Sequence, residues 1–240
     1  MIAIITQARV NSTRLPNKIF LTAKNKSFLA YHIDSLKATG IEVIVATTNN
    51  GSEKPIIEFC NKNDVHSFKG EEDNVLKRFY DCAVKYKIDT IIRVTSDCPL
   101  IDKEIILKGV GEYQKIKNHA LIYVSNTIDR TYARGMDFEI FSFQALEDAF
   151  YNAKKISDRE HVTPYIWKNK SNKIVIKQVL DSENSSDLRL TLDTKEDQHL
   201  LTELIEKYNA EKLSYNQIKT LLNDNESLRS INQHIEQKKV

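Results

Sequence analysis

The sequence predicts an α/β fold of three layers, a mainly parallel sheet covered by helices on both faces. Three observations predict it. Apolar runs of strand length alternate with stretches of helical spacing through the first half of the chain. The first run, Ile2-Ala3-Ile4-Ile5, is continuously apolar, as a strand buried on both faces is. And 240 residues with 41% apolar content suffice for one large domain with a sizeable core.

Taken in order, residues 2–5 form the first strand. Residues 28–38 read as a helix stopped at Gly40, and 41–47 as the next strand. Residues 53–63 are helical, with Pro55 in the first turn, where a missing N–H does no harm. A short strand at 65–68 precedes Gly70. Residues 74–86 carry Val75, Phe79 and Ala83 at helical spacing, 88–94 are strongly β-like, and 102–116 are helical again. The second half is less regular. Strands are expected at 121–124, 136–141, 173–179 and 188–192, some of them antiparallel. Helices are expected at 143–154, 159–169, 195–208 and 214–223, the last capped by Ser214. Without a repeat, a low-complexity stretch or a Gly/Ser linker, residues 1–225 read as a single domain. Residues 226–240 read as a polar C-terminal helix or tail.

Bulk properties exclude several classes. A net charge of +2 leaves no footprint for nucleic acid, so basic residues matter locally. No apolar run approaches the ~18 residues that cross a bilayer, and the N-terminal run is broken by Gln7 and Arg9 too early for a signal peptide. Cys60, Cys82 and Cys98 are odd in number and lack C-x-x-C spacing, which fits a reducing cytoplasm and argues against a disulfide framework or structural zinc. No G-x-G-x-x-G is present.

The most informative stretch is Gln7-Ala8-Arg9-Val10-Asn11-Ser12-Thr13-Arg14-Leu15-Pro16-Asn17-Lys18. It places three cations, Arg9, Arg14 and Lys18, in one loop at the end of a buried strand. In an open α/β sheet ligands bind at that end. Arginine offers a bidentate fork to phosphate oxygens and lysine a mobile point charge. Ser12 and Thr13 read equally as turn residues or as direct contacts. Backbone N–H groups near Ala8 and Ser12 are further donor candidates.

Ala-Arg-x-x-Ser-x-Arg-x-Pro-x-Lys after an N-terminal strand resembles the signature of the cytidylyltransferases that make CMP-activated sugars, which include the acylneuraminate and 3-deoxy-manno-octulosonate enzymes. The nearest resemblance is to the spore-coat-polysaccharide, SpsF-like branch. It extends in order through Thr95-Ser96-Asp97-Cys98-Pro99-Leu100, Arg134-Gly135-Met136-Asp137-Phe138-Glu139, Arg159-Glu160-His161-Val162-Thr163-Pro164 and Thr191-Leu192-Asp193-Thr194, covering roughly residues 1–210. Position 96 is Ser where the family commonly has Gly.

The resemblance implies a Rossmann-like fold of the nucleotide-diphospho-sugar transferase type. It also implies a Mg²⁺-dependent nucleotidyl transfer, with CTP and a small anionic acceptor as partners, in surface polysaccharide biosynthesis. Lys18, Arg9 and Asp97 become the catalytic candidates. Ala8, Arg9, Ser12, Arg14, Lys18, Asn74 and Arg78 become the nucleotide-binding ones. Asn74 also reads as a helix cap, and Arg78 as a solvated cation. Asp97 and Asp193, each after a β-like segment, are the metal candidates, hard oxygen ligands suited to Mg²⁺; helix capping is the other reading of Asp193-Thr194. Arg134, Asp137, Glu139, Arg159 and His161 look like the acceptor side. Strand alternation places Asp137 and Glu139 on one face, and His161 reads equally as structural. A homodimer is left open. Two rival functions remain at this stage: a glycosyltransferase using a ready-made nucleotide sugar, and a nucleotide-binding regulator without turnover. The first usually has a D-x-D at a strand end, which Asp137-Phe138-Glu139 does not match; the second predicts loss of charged residues that are all present.

Overall fold

The structure is a computed structural model that describes residues 1–236. Its elements, in chain order, are β1 (Ile2–Gln7), a 3-10 turn (Lys18–Phe20), the hairpin β2 (Thr22–Ala23) and β3 (Lys26–Ser27), α1 (Phe28–Lys37), β4 (Glu42–Thr48), α2 (Lys54–Lys62) and β5 (His66–Gly70). Then follow α3 (Val75–Tyr86), β6 (Thr90–Thr95), α4 (Lys103–Lys115), β7 (Ile122–Ser125), β8 (Glu139–Ser142), α5 (Phe143–Asn152), α6 (Ile156–His161) and α7 (Pro164–Trp167). The chain continues with β9 (Val175–Gln178), α8 (Lys195–Tyr208), a second 3-10 turn (Ala210–Lys212), α9 (Tyr215–Asp224) and α10 (Glu226–Arg229).

The seven-stranded sheet has the order β5-β4-β1-β6-β8-β7-β9. Within it only β8 runs against its neighbours, pairing antiparallel with both β6 and β7. Period-two alternation divides the core. Ile4, Val43, Val45, Ile92, Val94, Val124 and Ile140 face one helical layer, with residues of α1, α2, α4, α8 and α9. Ala3, Ile5, Ile44, Ala46, Ile91, Tyr123 and Phe141 face the other, with α3, α5 and α7. The three-layer, mainly parallel architecture read from the sequence is the one observed.

Local chemistry sets the helix starts. Ser27, Asn74 and Ser142 each accept a backbone N–H three residues on. Thr194 and Ser214 form reciprocal capping boxes with Asp197 and Gln217.

Three expected elements differ. The strand expected at 136–141 begins only at Glu139, because Asn126 satisfies the backbone at Met136 and Phe138 with its own amide. The helix expected at 159–169 is split into α6 and α7. Val162 between them has φ 70° and ψ −56°, and Thr163 N–H donates to the His161 carbonyl at 2.8 Å, a strained γ-turn followed by Pro164. Residues 188–192 form no strand; they carry one isolated parallel bridge, Arg134 to Arg189. The segment after 225 was expected to be a surface helix or frayed tail. Its α10 buries Leu228, and Asn232 beyond it is buried too; residues 237–240 of that segment lie outside the described residues.

Candidate active site

In the sheet order, β1 is where the topology reverses: α1 and β4 build to one side, and β6 lies on the other. Side chains delivered by the loops after β1 and β6 therefore meet in the crevice at their carboxyl ends. The loop after β1 is anchored at its root by Ala8 N–H on the Ala46 carbonyl, 3.0 Å, and at its end by Asn17 N–H on the Val10 carbonyl, 3.3 Å. Ala8 is thus not a free N–H donor, which corrects that part of the expectation. Among the described residues, the N–H groups from Asn11 to Arg14 meet no backbone carbonyl. Asn17 takes the left-handed conformation, φ 54°, and turns the chain so that Lys18 enters the crevice.

Lys18 is the centre of the arrangement. Its Nζ donates to Asp97 Oδ2 at 3.0 Å and to Asp193 Oδ1 at 3.0 Å. The two carboxylates, read from distant parts of the sequence, do converge. Arg14 donates to the other oxygen of Asp193. Burial would raise the Asp97 carboxyl, but the Lys18 charge and the Thr95 hydroxyl outweigh it and hold its pKa at about 2. Burial would lower the Lys18 ammonium; Asp97 and Asp193 reverse that and raise it. At neutral pH this is one half-buried cation between two carboxylates.

Backbone bonds fix the convergence. Ser96 N–H donates to the Gln7 carbonyl at 3.2 Å, and the Asp97 carbonyl accepts Leu192 N–H at 2.7 Å and Thr191 Oγ1 at 3.1 Å. Leu190 N–H in turn donates to the Arg134 carbonyl at 2.7 Å. Gly135 makes that seam close: its φ is +98°, and a Cβ there would lie 2.5 Å from the Leu190 carbonyl oxygen. Asp193 is not the cap of α8; Thr194 is. Asp197, fully buried, accepts the N–H groups of Asp193 and Thr194 at 3.0 and 3.1 Å, Nε and Nη2 of Arg189 at 2.7 and 2.8 Å, and the Asn232 amide at 2.9 Å. Arg189, Asp197 and Asn232 were not found from the sequence. The Thr194-x-x-Asp197 capping pattern was the one available signal, and it marks a helix start, not a site.

The other expected residues divide. Arg9 is exposed on the loop. Ser12 is half-buried there. Asn74 caps α3, accepting Lys77 N–H at 3.1 Å. Arg78 is buried rather than solvated; it donates to the Glu71 and Glu72 carbonyls at 3.1 and 3.0 Å and so holds the loop before α3. Arg134 has no side-chain hydrogen bond or ion pair among the described residues and lies within electrostatic reach of Arg130, Asp137 and Arg189. Asp137 is paired with Arg130, one of the two contacts being 3.0 Å. Asp137 and Glu139 do not share a strand face, since β8 begins at Glu139. Glu139 is buried, ion-paired with Arg93 and accepting the Tyr123 hydroxyl at 2.6 Å. Arg93 also donates to Gln7 at 3.0 Å. Arg159 and His161 sit on α6, and among the described residues no hydrogen bond or ion pair joins them to Lys18, Asp97 or Asp193. The Cys98 thiol is buried and pushed well above its ordinary pKa by burial, the small apolar role expected of it.

Such a crevice, with a basic loop, free N–H donors and two convergent acids, suits a polyphosphate with a divalent cation. The sequence profile of the cytidylyltransferases matches residues 3–235. The chain belongs to the cytidylyltransferase family.

It is 36% identical to the protein MJ1063 of Methanocaldococcus jannaschii over 98% of this chain and 95% of that one. It is 27% identical to the spore coat polysaccharide biosynthesis protein SpsF of Bacillus subtilis, over 93% and 95% of the two chains. A solved cytidylyltransferase from Leptospira borgpetersenii superimposes with a TM-score of 0.90 at 32% identity, covering 99% of each chain. Like its family, the protein is a nucleotidyltransferase. Among the described residues, no helix is long and apolar enough to cross a membrane.

Proposed function

We propose that this cytidylyltransferase joins CMP, from CTP, to an oxygen of an anionic sugar or related small molecule in surface polysaccharide biosynthesis. The acceptor oxygen attacks the α-phosphorus and loses its proton; the bond to the β-phosphate oxygen breaks, and pyrophosphate leaves. The observation that carries the reading is the convergence of Asp97 and Asp193 on Lys18 at the switch point of the sheet. Arg9, Arg14 and the N–H groups of residues 11–14, which meet no backbone carbonyl among the described residues, would hold the triphosphate. Lys18 is placed to neutralise charge that develops between the α- and β-phosphates. Arg134, whose side chain has no hydrogen bond or ion pair among the described residues, would receive the anionic group of the acceptor.

Asp97 and Asp193 are the residues that would hold Mg²⁺. Among the described residues, no cluster of three or more acidic, His or Cys side chains forms, so the protein supplies two carboxylates. That donor set fits an ion that keeps waters and takes its other ligands from substrate phosphates. When bound, the ion supplies charge neutralisation and alignment of the phosphates. The name of the SpsF relative supports the polysaccharide role, and an odd number of cysteines without C-x-x-C spacing fits a reducing, cytoplasmic location.

The test is pyrophosphate release, with Mg²⁺, from CTP, UTP, ATP and GTP against a panel of sugar acids and sugar phosphates. The expected result is release from CTP with an anionic acceptor. A protein that releases none, and instead consumes a nucleotide sugar, is a glycosyltransferase; one that binds nucleotide without turnover is a regulator. Either result overturns the proposal.

A further inference from the structure

His32 is fully buried on α1, and the mechanism above does not use it. Its Nδ1 lies 2.8 Å from the carbonyl oxygen of Cys98, and its Nε2 lies 2.9 Å from Thr6 Oγ1. A carbonyl only accepts, so Nδ1 carries the hydrogen; Nε2 then has the lone pair, and the Thr6 hydroxyl donates to it. The imidazole thus joins three elements: α1, the C-terminal half of β1, and the turn after β6. The Cys98 carbonyl follows Asp97 directly and also accepts Ile101 N–H at 3.3 Å. The preceding carbonyl, that of Asp97, holds Leu192 and Thr191 beside Asp193. Two successive carbonyls of one turn are therefore tied in different directions, one to the Asp193 segment and the other to His32.

We infer that His32, through its Nδ1–H bond to the Cys98 carbonyl, is a positioning residue that sets the separation of the Asp97 and Asp193 carboxylates. This rests on the proposed function, since it assigns that separation to divalent-cation use in nucleotidyl transfer. The ring touches neither carboxylate, so it acts through the turn. Burial lowers its pKa to about 4, with the Cys98 carbonyl and Asp97 opposing, so the ring is neutral across the physiological range and holds this single tautomer. A charged partner would add a third cation beside Lys18 and Arg14; a neutral one orients the acid without competing for it. This is the role that outer partners of metal-binding carboxylates serve.

The experiment compares His32→Asn, His32→Gln and Thr6→Val. The Asn amide nitrogen occupies the place of Nδ1 and keeps the donor to Cys98, whereas the Gln amide reaches the Nε2 place and loses it. His32→Gln is expected to lower kcat for pyrophosphate release about tenfold or more and to raise the Mg²⁺ concentration for half-maximal rate by a similar factor. The KM for CTP should stay within about twofold, and His32→Asn should recover most of both losses. Thr6→Val removes the hydroxyl that donates to Nε2, leaves the Nδ1–H bond to Cys98, and should fall between. A second readout needs no turnover: amide hydrogen exchange at Ile101 and Leu192 should quicken about tenfold in His32→Gln and stay near wild type in His32→Asn. Equal losses in Asn and Gln, or losses that follow melting temperature alone with exchange unchanged, overturn the assignment. If the wild-type protein releases no pyrophosphate, the function reading fails, and the exchange comparison still decides whether His32 holds the turn.

Discussion

Leu192 N–H donates to the Asp97 carbonyl at 2.7 Å, and this bond makes one backbone unit of two segments far apart in sequence. Each segment carries one acid, and each acid has an oxygen 3.0 Å from Lys18 Nζ. The site is therefore built by main chain first, with the side chains following from it.

Asp97→Asn and Asp193→Asn should each cut pyrophosphate release by about a hundredfold or more, because half of the ligand set proposed for the ion is lost. Both variants should fold. Two bare carboxylates would repel, and removal of one would then stabilise the protein. With Lys18 between them the sign reverses, and each variant should lose about 1–3 kcal/mol in denaturant unfolding. A more stable variant would show that the acids are uncompensated.

Stability should carry a signature of Asp97 in acid. Its folded pKa, about 2, lies below its ordinary value of 3.8. The folded state therefore binds this proton less readily than the unfolded chain. The stability it contributes is complete above the unfolded value and drains away as pH falls from about 4 through 2. The melting-temperature gap between wild type and Asp97→Asn should be constant from pH 5 to 7 and shrink steadily below pH 4. A gap that widens in acid would contradict the Lys18 pairing.

Gly135→Ala should cost at least about 2 kcal/mol, since a Cβ would meet the Leu190 carbonyl and the backbone is held at positive φ. Relief of that clash moves the segment that carries Asp193, so activity should fall further than stability alone dictates. Urea unfolding with kcat measured on the folded fraction separates the two. An alanine variant with wild-type stability and kcat would show that the seam is loose.

Arg134→Ala should raise the KM for the acceptor about tenfold or more and leave the CTP affinity within twofold. Arg134→Lys should recover part of it, since it keeps the charge and loses the fork. Isothermal titration with CTP and acceptor-dependent kinetics give the two numbers. Equal loss of both would place Arg134 in the seam with Leu188 and Leu190, through its backbone partners there.

The layers of the fold and the cation-rich loop were legible because both are local: apolar runs mark β1, β4 and β6, and Arg9, Arg14 and Lys18 fall within ten residues. The meeting of Asp97 with Asp193 was legible through motif order. What held them was not. Asp197 and Arg189 look like ordinary surface charges in sequence, and only the fold makes them a fully buried pair. His32 sits among the apolar residues of α1 without ligand spacing, since its partners are a carbonyl and a hydroxyl. The alternation at 136–139 misled for a related reason: Asn126 supplies side-chain bonds where a strand neighbour was expected. Side chains that bond to backbone leave no periodicity to read.

Asn232 donates to Asp197 and to the Arg189 carbonyl, so a side chain from beyond α10 clasps the network under Asp193. A chain emerging from the ribosome in order completes β1, β4, β5 and β6 long before that clasp is available. The sheet and its basic loop can assemble while the second acid still lacks its underpinning. Nascent protein, and protein clipped before Asn232, would present a finished scaffold with an unfinished edge, capable of holding anions yet unable to spend a triphosphate.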